Sequence, residues 1–255
     1  MAQDTSTERA RVALITGAGR RIGAAIALAL ARAGYAVVVH AHHSRAEAEG
    51  LAAQIEGAGG RAAVVLADLA DADGVRGLVP AASAFGPLTL LVNNASEFDP
   101  DQIENLERGR FERTLAVNLS APLFLAQAFA AQAPDGASIV NVLDQRVLKP
   151  TPRFFSYTLS KSALHMATTT LAQALAPRLR VNAVAPGPTL PSPRQSEAEF
   201  AAQSAALPLG RGPSPEDIAA AVLYLAEAGS VTGVTLTVDG GQHLSWRTAD
   251  SDIAE

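Results

Sequence analysis

Seven short runs of β-branched and aliphatic residues, Arg11 to Ile15, Tyr35 to His40, Ala62 to Ala67, Leu88 to Val92, Ser138 to Leu143, Arg180 to Ala185 and Val234 to Val238, are separated by stretches with helical periodicity. Strands that are apolar at consecutive positions are buried on both faces, and strands joined through helices run parallel. The alternation therefore predicts an α/β chain: a doubly wound parallel sheet of about seven strands with helices on both faces, in a single domain over residues 11–243. No internal repeat or low-complexity linker interrupts the pattern.

Composition narrows the function classes. At 255 residues and 48% hydrophobic content the core is large enough to hold without staples. The absence of Cys excludes a disulfide framework and a cysteine metal site, and fits a reducing cytoplasm. A net charge of −5 without a basic cluster argues against nucleic acid or an anionic membrane as the main partner. The first ten residues, MAQDTSTERA, lack the apolar segment of a signal peptide and are expected to be mobile, as is the polar tail 244–255. The apolar span Ile22 to Val39 is divided by Arg32 and Gly34 into a buried helix and a buried strand, which argues against a membrane segment. Trp246, the only Trp, is expected either to pack on a neighbouring subunit or to be loose.

The first strand is followed at once by Thr16-Gly17-Ala18-Gly19-Arg20-Arg21-Ile22-Gly23 and a helix to about Ala33. A glycine-rich turn opening a helix lets backbone N–H groups approach a pyrophosphate, although the third glycine falls one residue late for G-x-G-x-x-G and the turn could serve only helix packing. After the second strand, a carboxylate would bind a ribose 2′-hydroxyl; the chain instead reads His40-Ala41-His42-His43-Ser44-Arg45. Two histidines, a hydroxyl and a guanidinium form a phosphate cradle that favours NADP over NAD, against the rival readings of a metal site or a solvated loop. Asp68, ending the third strand, is placed to accept from an adenine amino group. Gly74, Gly77 and Pro80 predict an imperfect helix over Asp71 to Phe85. The fourth strand runs into Asn93-Asn94-Ala95-Ser96-Glu97-Phe98, and Asn118 lies inside the helix predicted over Phe111 to Ala131, where it signals a kink, a buried water or function.

The fifth strand delivers Asp144 at its carboxyl end, where open α/β sheets bind ligands. Tyr157 and Lys161 stand four apart and share one helix face. A phenol beside an ammonium loses its proton more easily and becomes a usable acid and base near neutral pH. Leu190 to Pro215, rich in Pro, Ser and Gly with one helix near Glu197 to Ala205, reads as a lid or binding loop. His165 and His243 carry no assigned role.

Thr16-Gly17 to Gly23, Asn93-Asn94-Ala95, Asn118, Tyr157-x-x-x-Lys161, Pro186-Gly187 and Val238-Asp239-Gly240-Gly241, in this order, resemble the short-chain dehydrogenase/reductases over about Arg11 to Gly241. The resemblance implies a Rossmann-type fold and a nicotinamide cofactor. It implies that Gly17, Arg20, Arg21, Ile22, His40, His42, His43, Ser44, Asp68, Leu69, Asn94, Ala95, Ser96, Pro186, Gly187 and Thr189 bind the cofactor together with Tyr157 and Lys161. Tyr157 is implied as proton donor, Lys161 as ribose ligand that lowers the Tyr pKa, Asn118 as holder of a water in the proton path, and a homotetramer as the assembly.

Most members of that family have Gly where this chain has Arg21 and Ser where it has Asp144. These departures, with Asn-Ala-Ser at Asn94 to Ser96, Phe98, and His40, His42 and Ser44, look like the pteridine reductases. In that subgroup the pterin lies between the nicotinamide ring and an aromatic side chain, here Phe98, and Arg21 and Ser96 are implied to hydrogen-bond the substrate or the cofactor phosphates. A ketone reductase needs a neutral donor for a carbonyl oxygen, whereas a pterin needs a proton on a ring nitrogen, which a partly buried carboxyl with a raised pKa can supply. The expected activity is NADPH-dependent reduction of a dihydropterin or dihydrofolate. The alternatives are a general carbonyl or 3-oxoacyl reductase and a non-catalytic NADP-sensing protein. Phe154 departs from some pteridine reductases, which have a substrate-facing Tyr at this position.

Overall fold

In the computed structural model, which describes residues 11–246, the chain alternates strand and helix from β1 (Val12–Ile15) onward. There follow α1 (Arg21–Arg32), β2 (Ala36–Ala41), α2 (Arg45–Gly57), β3 (Ala62–Leu66), α3 (Ala72–Ser83), β4 (Leu88–Asn93) and α4 (Arg108–Leu115). A π-helical turn, Ala116–Ser120, leads into α5 (Ala121–Gln132), then come β5 (Ser138–Val142), α6 (Phe155–Leu175), β6 (Arg180–Pro186), α7 (Glu197–Ala205), α8 (Pro215–Glu227) and β7 (Thr235–Val238). The mobility expected of residues 1–10 and of 247–255 concerns residues outside those described.

The seven strands form one sheet in the order β3-β2-β1-β4-β5-β6-β7, every neighbouring pair parallel. Successive residues of β1 point to opposite faces, so Ala13 and Ile15 join one core with Ile26, Leu30, Ile55 and Val222, while Val12 and Leu14 join the other with Leu78, Leu125 and Phe129. Burying one such Leu or Ile side chain contributes about 1.5–3 kcal/mol, and both faces of the sheet are lined with them. The order reverses between β1 and β4, and ligands of open parallel sheets bind at the carboxyl ends of strands at such a point. The turn after β1 and the Asn93 to Phe98 segment after β4 meet there.

Two helices differ from expectation. Asp71 caps α3 by accepting from the amides of Asp73 and Gly74, and the helix continues through Pro80 to Ser83 without a break. Pro80 and Arg76, whose carbonyl loses a partner to the proline ring, are both exposed, which leaves that carbonyl on the solvent side of the helix. The helix expected over Phe111 to Ala131 starts at Arg108 and widens to a π turn with Asn118 within it. By length and composition Arg108–Gln132 could cross a membrane, but half of its most apolar window is buried in this fold, where Val117, Ala121, Leu125 and Phe129 pack into the core.

Candidate active site

The end of β1 is bolted to the end of β4. Thr16 Oγ1 accepts from the amides of Asn94 and Ala95, both at 3.0 Å, and Asn94 Nδ2 donates to the carbonyls of Thr16 at 2.9 Å and Gly17 at 3.1 Å. A methyl group on Gly23 would lie 2.3 Å from the Gly17 carbonyl and 2.7 Å from Asn94 Nδ2, so the late glycine is needed for close approach of helix to turn. Both N–H groups of the Asn94 side chain are thus spent on the protein's own backbone.

His40 requires a correction. Its side chain is buried; Nδ1 accepts from the Gly17 amide at 3.1 Å and Nε2 faces the Ala67 carbonyl at 3.1 Å. Since an amide can only donate, Nδ1 is the acceptor and Nε2 carries the proton. Burial lowers the pKa of His40 to about 4. A neutral, internally bonded imidazole is no phosphate ligand, and Gly17 and Ala18, whose amides go to His40 Nδ1 and to the His40 carbonyl, supply no free N–H. What remains for an anionic group is the first turn of α1 from Arg20 to Gly23, which has no side-chain cap, and His42, His43, Ser44 and Arg45 at the end of β2. The His42 and His43 rings lie 3.4 Å apart between centroids, tilted by 33°, and a methyl on Gly19 would lie 3.3 Å from Ser44 Oγ, so a side chain there would fill the cradle. No carboxylate stands in the turn between β2 and α2, and the residues present fit a dinucleotide with a 2′-phosphate.

Asp68 accepts from the Ala70 amide at 2.9 Å, which holds its carboxyl below the usual range, with His42 and Arg113 adding positive charge. The Leu69 side chain is buried in the core, so only its backbone can face a ligand. Gly187 donates to the Val238 carbonyl at 2.9 Å, and Thr189 bonds back to the Gly187 carbonyl, fixing the turn that begins at Pro186.

Arg21 adopts φ +56°, a left-handed backbone that glycine takes freely and other residues take at a cost of about 1 kcal/mol or more. The arginine is held there by its guanidinium, which donates to the Pro191 carbonyl at 3.1 Å and ties the segment after β6 across the turn. Arg20 and Ile22 make no side-chain hydrogen bond in the first turn.

Asn118 is fully buried, accepts from the Glu97 amide at 2.8 Å and donates to the Glu97 carbonyl at 2.9 Å and to Ser160 Oγ at 3.2 Å. Its amide therefore clamps the loop carrying Ser96 and Phe98 to α6, and with its side chain filled the residue could hold the water that the resemblance implies only through its backbone. Ser96 Oγ lies 3.3 Å from Asn118 Oδ1.

The β5 strand and α6 bring Asp144 and Tyr157 together: the Tyr157 hydroxyl donates to Asp144 Oδ2 at 3.0 Å. Burial, and then the Asp144 charge, push the Tyr157 pKa well up. Lys161 is buried on the same helix face, donates to the Val142 carbonyl at 2.8 Å, and is lowered by burial to about 8. Its ammonium lies 5.8 Å from the Tyr157 ring centre, and the hydrogen bond of the tyrosine hydroxyl goes to Asp144. Asp144 also departs from the expected acid: Oδ1 accepts from the Arg146 amide at 2.8 Å and Oδ2 from Arg146 Nη1 at 3.1 Å, so the carboxylate acts as an acceptor.

Phe98 lies edge-on to Tyr157 at 4.7 Å and parallel to Phe154 at 4.2 Å. The guanidinium groups of Arg146 and Arg194 stand 5.3–5.8 Å from the centres of both phenyl rings, and Arg194 donates to the Phe98 carbonyl at 2.7 Å. Asp101 is buried, accepts from the Ser156 amide and hydroxyl, and anchors the Phe98 loop to the start of α6. Sequence reasoning passed over Arg146, Asp101 and Arg194. The signal for Arg146 was its place two residues after Asp144, where an aspartate commonly bonds the following backbone; Asp101 and Arg194 act across 55 and 96 residues of chain, with no local signal.

Comparison with known proteins identifies the family. A family described as enoyl-(acyl carrier protein) reductase matches residues 17–243. An uncharacterized oxidoreductase of Methylorubrum extorquens is 40% identical over 91% of this chain and 97% of its own, and the L-rhamnose 1-dehydrogenase (NAD(P)+) of a Sphingomonas species is 34% identical over 92% and 97%. The crystal structure of FolM alternative dihydrofolate reductase 1 from Brucella canis, complexed with NADP, superposes with a TM-score of 0.91 at 49% identity, covering 96% of this chain and 97% of that one. Its counterpart from Brucella suis, also with NADP, gives 0.91 at 50% identity over 94% and 98%. The chain belongs to the short-chain dehydrogenase/reductase family of oxidoreductases.

Proposed function

We propose that this oxidoreductase uses NADPH to reduce the ring of a dihydropterin, of the dihydrobiopterin or dihydrofolate type. The observation that carries the reading is the Tyr157 hydroxyl bonded to the Asp144 carboxylate at the edge of Phe98. The cofactor supplies the hydride. Arg20 to Gly23, His42, His43, Ser44 and Arg45 hold its phosphates, Asp68 its adenine, and Lys161 its ribose. Phe98, stacked on Phe154, offers its remaining face to a flat ring, and Arg21 and Ser96 stand at the rim. Tyr157 keeps its proton at neutral pH and delivers it to a ring nitrogen by rotation of the hydroxyl. Asp144 orients the phenol; three of its roughly four acceptor sites are filled, and the last suits an N–H of the substrate. The FolM neighbours, named as dihydrofolate reductases and bound to NADP, support this reading.

The test is NADPH oxidation with dihydrobiopterin, dihydrofolate and a simple β-keto ester in parallel. Turnover of the pterins with little on the ester is expected. Turnover of the ester alone would move the protein to the carbonyl reductases, a reading that the L-rhamnose dehydrogenase relative favours and that a carboxylate facing an oxygen-centred anion opposes. Binding of NADPH without any turnover would favour the sensor.

The assembly proposed is a homotetramer. Phe124, Leu159 and Met166 on α5 and α6, and Tyr224, Leu236, Leu244 and Trp246 around α8 and β7, are large apolar side chains left exposed, Trp246 by 74%. Two such faces suit two kinds of two-fold contact. Light scattering of the eluting protein should give four times the 26.3 kDa chain mass.

A further inference from the structure

We propose that Arg146 is a positioning residue for proton transfer, holding the Asp144 carboxylate against the Tyr157 hydroxyl and supplying the positive charge that lets this buried phenol give up its proton. The inference rests on the reading of Tyr157 as proton donor and is independent of which substrate receives the proton.

When Tyr157 donates, its O–H bond breaks, the proton goes to the substrate atom that the hydride from NADPH makes basic, and a phenolate is left beside a carboxylate. Two anions in contact within a buried site oppose that step strongly. A cation that touches the pair offsets that cost beyond what the oxidised nicotinamide ring supplies. The charged groups around Tyr157 are Asp144 and Arg146 from the turn after β5, Lys161 from α6, and Arg194 over the Phe98 and Phe154 rings; Asp101 is bound to Ser156, and Glu97 is paired with Arg113 at 2.6 Å.

Of these, Arg146 alone bonds the same oxygen that receives the tyrosine hydroxyl, Asp144 Oδ2, at 3.1 Å. It is also held twice, since its own amide donates to Oδ1 of the same carboxylate at 2.8 Å. Its charge opposes that of Asp144 at the phenol, lowering the Tyr157 pKa against burial and the charge and hydrogen bond of Asp144, which raise it. Lys161 is directed elsewhere: its ammonium donates to the Val142 carbonyl at 2.8 Å, lies 5.8 Å from the Tyr157 ring centre, and bonds neither Asp144 nor the tyrosine hydroxyl. Arg146 further lies 5.3 Å from the centres of both phenyl rings, so the side chain that neutralises the carboxylate also props the aromatic wall.

The test compares Arg146→Met, which keeps bulk and removes charge, with Arg146→Lys, which keeps charge, on whichever substrate the wild type turns over. Arg146→Met should lower kcat about tenfold or more, leave the NADPH dissociation constant unchanged, and move the alkaline limb of kcat/KM to higher pH. Arg146→Lys should restore most of the rate and the wild-type limb. In an Asp144→Asn background the Met substitution should cost less than threefold, because the charge it neutralised is gone. Should Arg146→Met unfold, Arg146→Gln serves the same comparison. Equal losses in the Lys and Met variants with an unmoved pH profile, or full additivity with Asp144→Asn, would overturn the proposal. Wild-type turnover of the ester but not the pterins would overturn the pterin reading alone and leave this comparison standing.

Discussion

The Tyr157 hydroxyl lies 3.0 Å from Asp144 Oδ2, while the Lys161 ammonium on the same helix face is directed to the Val142 carbonyl. The phenol therefore answers first to a carboxylate and only at a distance to the lysine. Burial and then the Asp144 charge raise the Tyr157 pKa. Asp144→Asn removes the second cause, so the alkaline limb of the kcat/KM profile should move to lower pH while the maximum falls about 10²-fold. A limb that stays in place would mean that the limb is set by another group.

Lys161 has its pKa lowered by burial from 10.5 to about 8. The unfolded chain then binds more protons than the folded one between pH 8 and 10.5, so stability rises with pH across that window and the cost of the buried ammonium, about 3 kcal/mol at most, is fully present below it. Lys161→Met should flatten this slope in urea melts at pH 7 and pH 10 and stabilise the protein at pH 7, while abolishing most turnover.

His40 works in the opposite pH range. Its pKa, lowered from 6.5 to about 4 by burial, means that stability is lost as pH falls from 6.5 towards 4, by about 3 kcal/mol over the full window. His40→Gln should remove that acid slope, measured as the change in urea midpoint between pH 7 and pH 4.5, and should loosen the Gly17 turn enough to weaken NADPH binding.

Much of this was legible in the sequence, and the remainder has physical causes. The strands were visible because burial on both faces makes them uniformly apolar, and the Tyr157 helix because its spacing is local. Pro80 misled because its cost depends on whether the carbonyl it orphans reaches water, which only the fold decides. Asn118 was marked as unusual, yet its partners, the Glu97 backbone and Ser160, come from separate segments. His40, read as the last residue of the second strand and part of a phosphate cradle, is the penultimate residue of a strand that runs on to Ala41; its side chain points inward, and a one-residue shift in a strand reverses the face. Asp144 was legible as a residue at the right place, and its acceptor character was not, because that depends on where Arg146 turns.

Arg21 occupies a left-handed position that glycine would take without strain. Arg21→Gly should leave the melting temperature nearly unchanged, the relief of strain offsetting the greater freedom of glycine in the unfolded chain. The lost bond to the Pro191 carbonyl should appear as a raised KM for the pterin with little change in kcat. A clear fall in melting temperature would show that the arginine contacts stabilise the fold by more than the strain costs.

The measurement that tests the central claim most directly is the ratio of kcat/KM for dihydrobiopterin to that for a β-keto ester, in the wild type and in Asp144→Ser. The account predicts a ratio well above one in the wild type and a fall of about 10²-fold or more in the serine variant, through loss of pterin turnover and gain on the ester. An unchanged ratio, with both substrates affected alike, would contradict the assignment of pterin chemistry to the Tyr157–Asp144 pair.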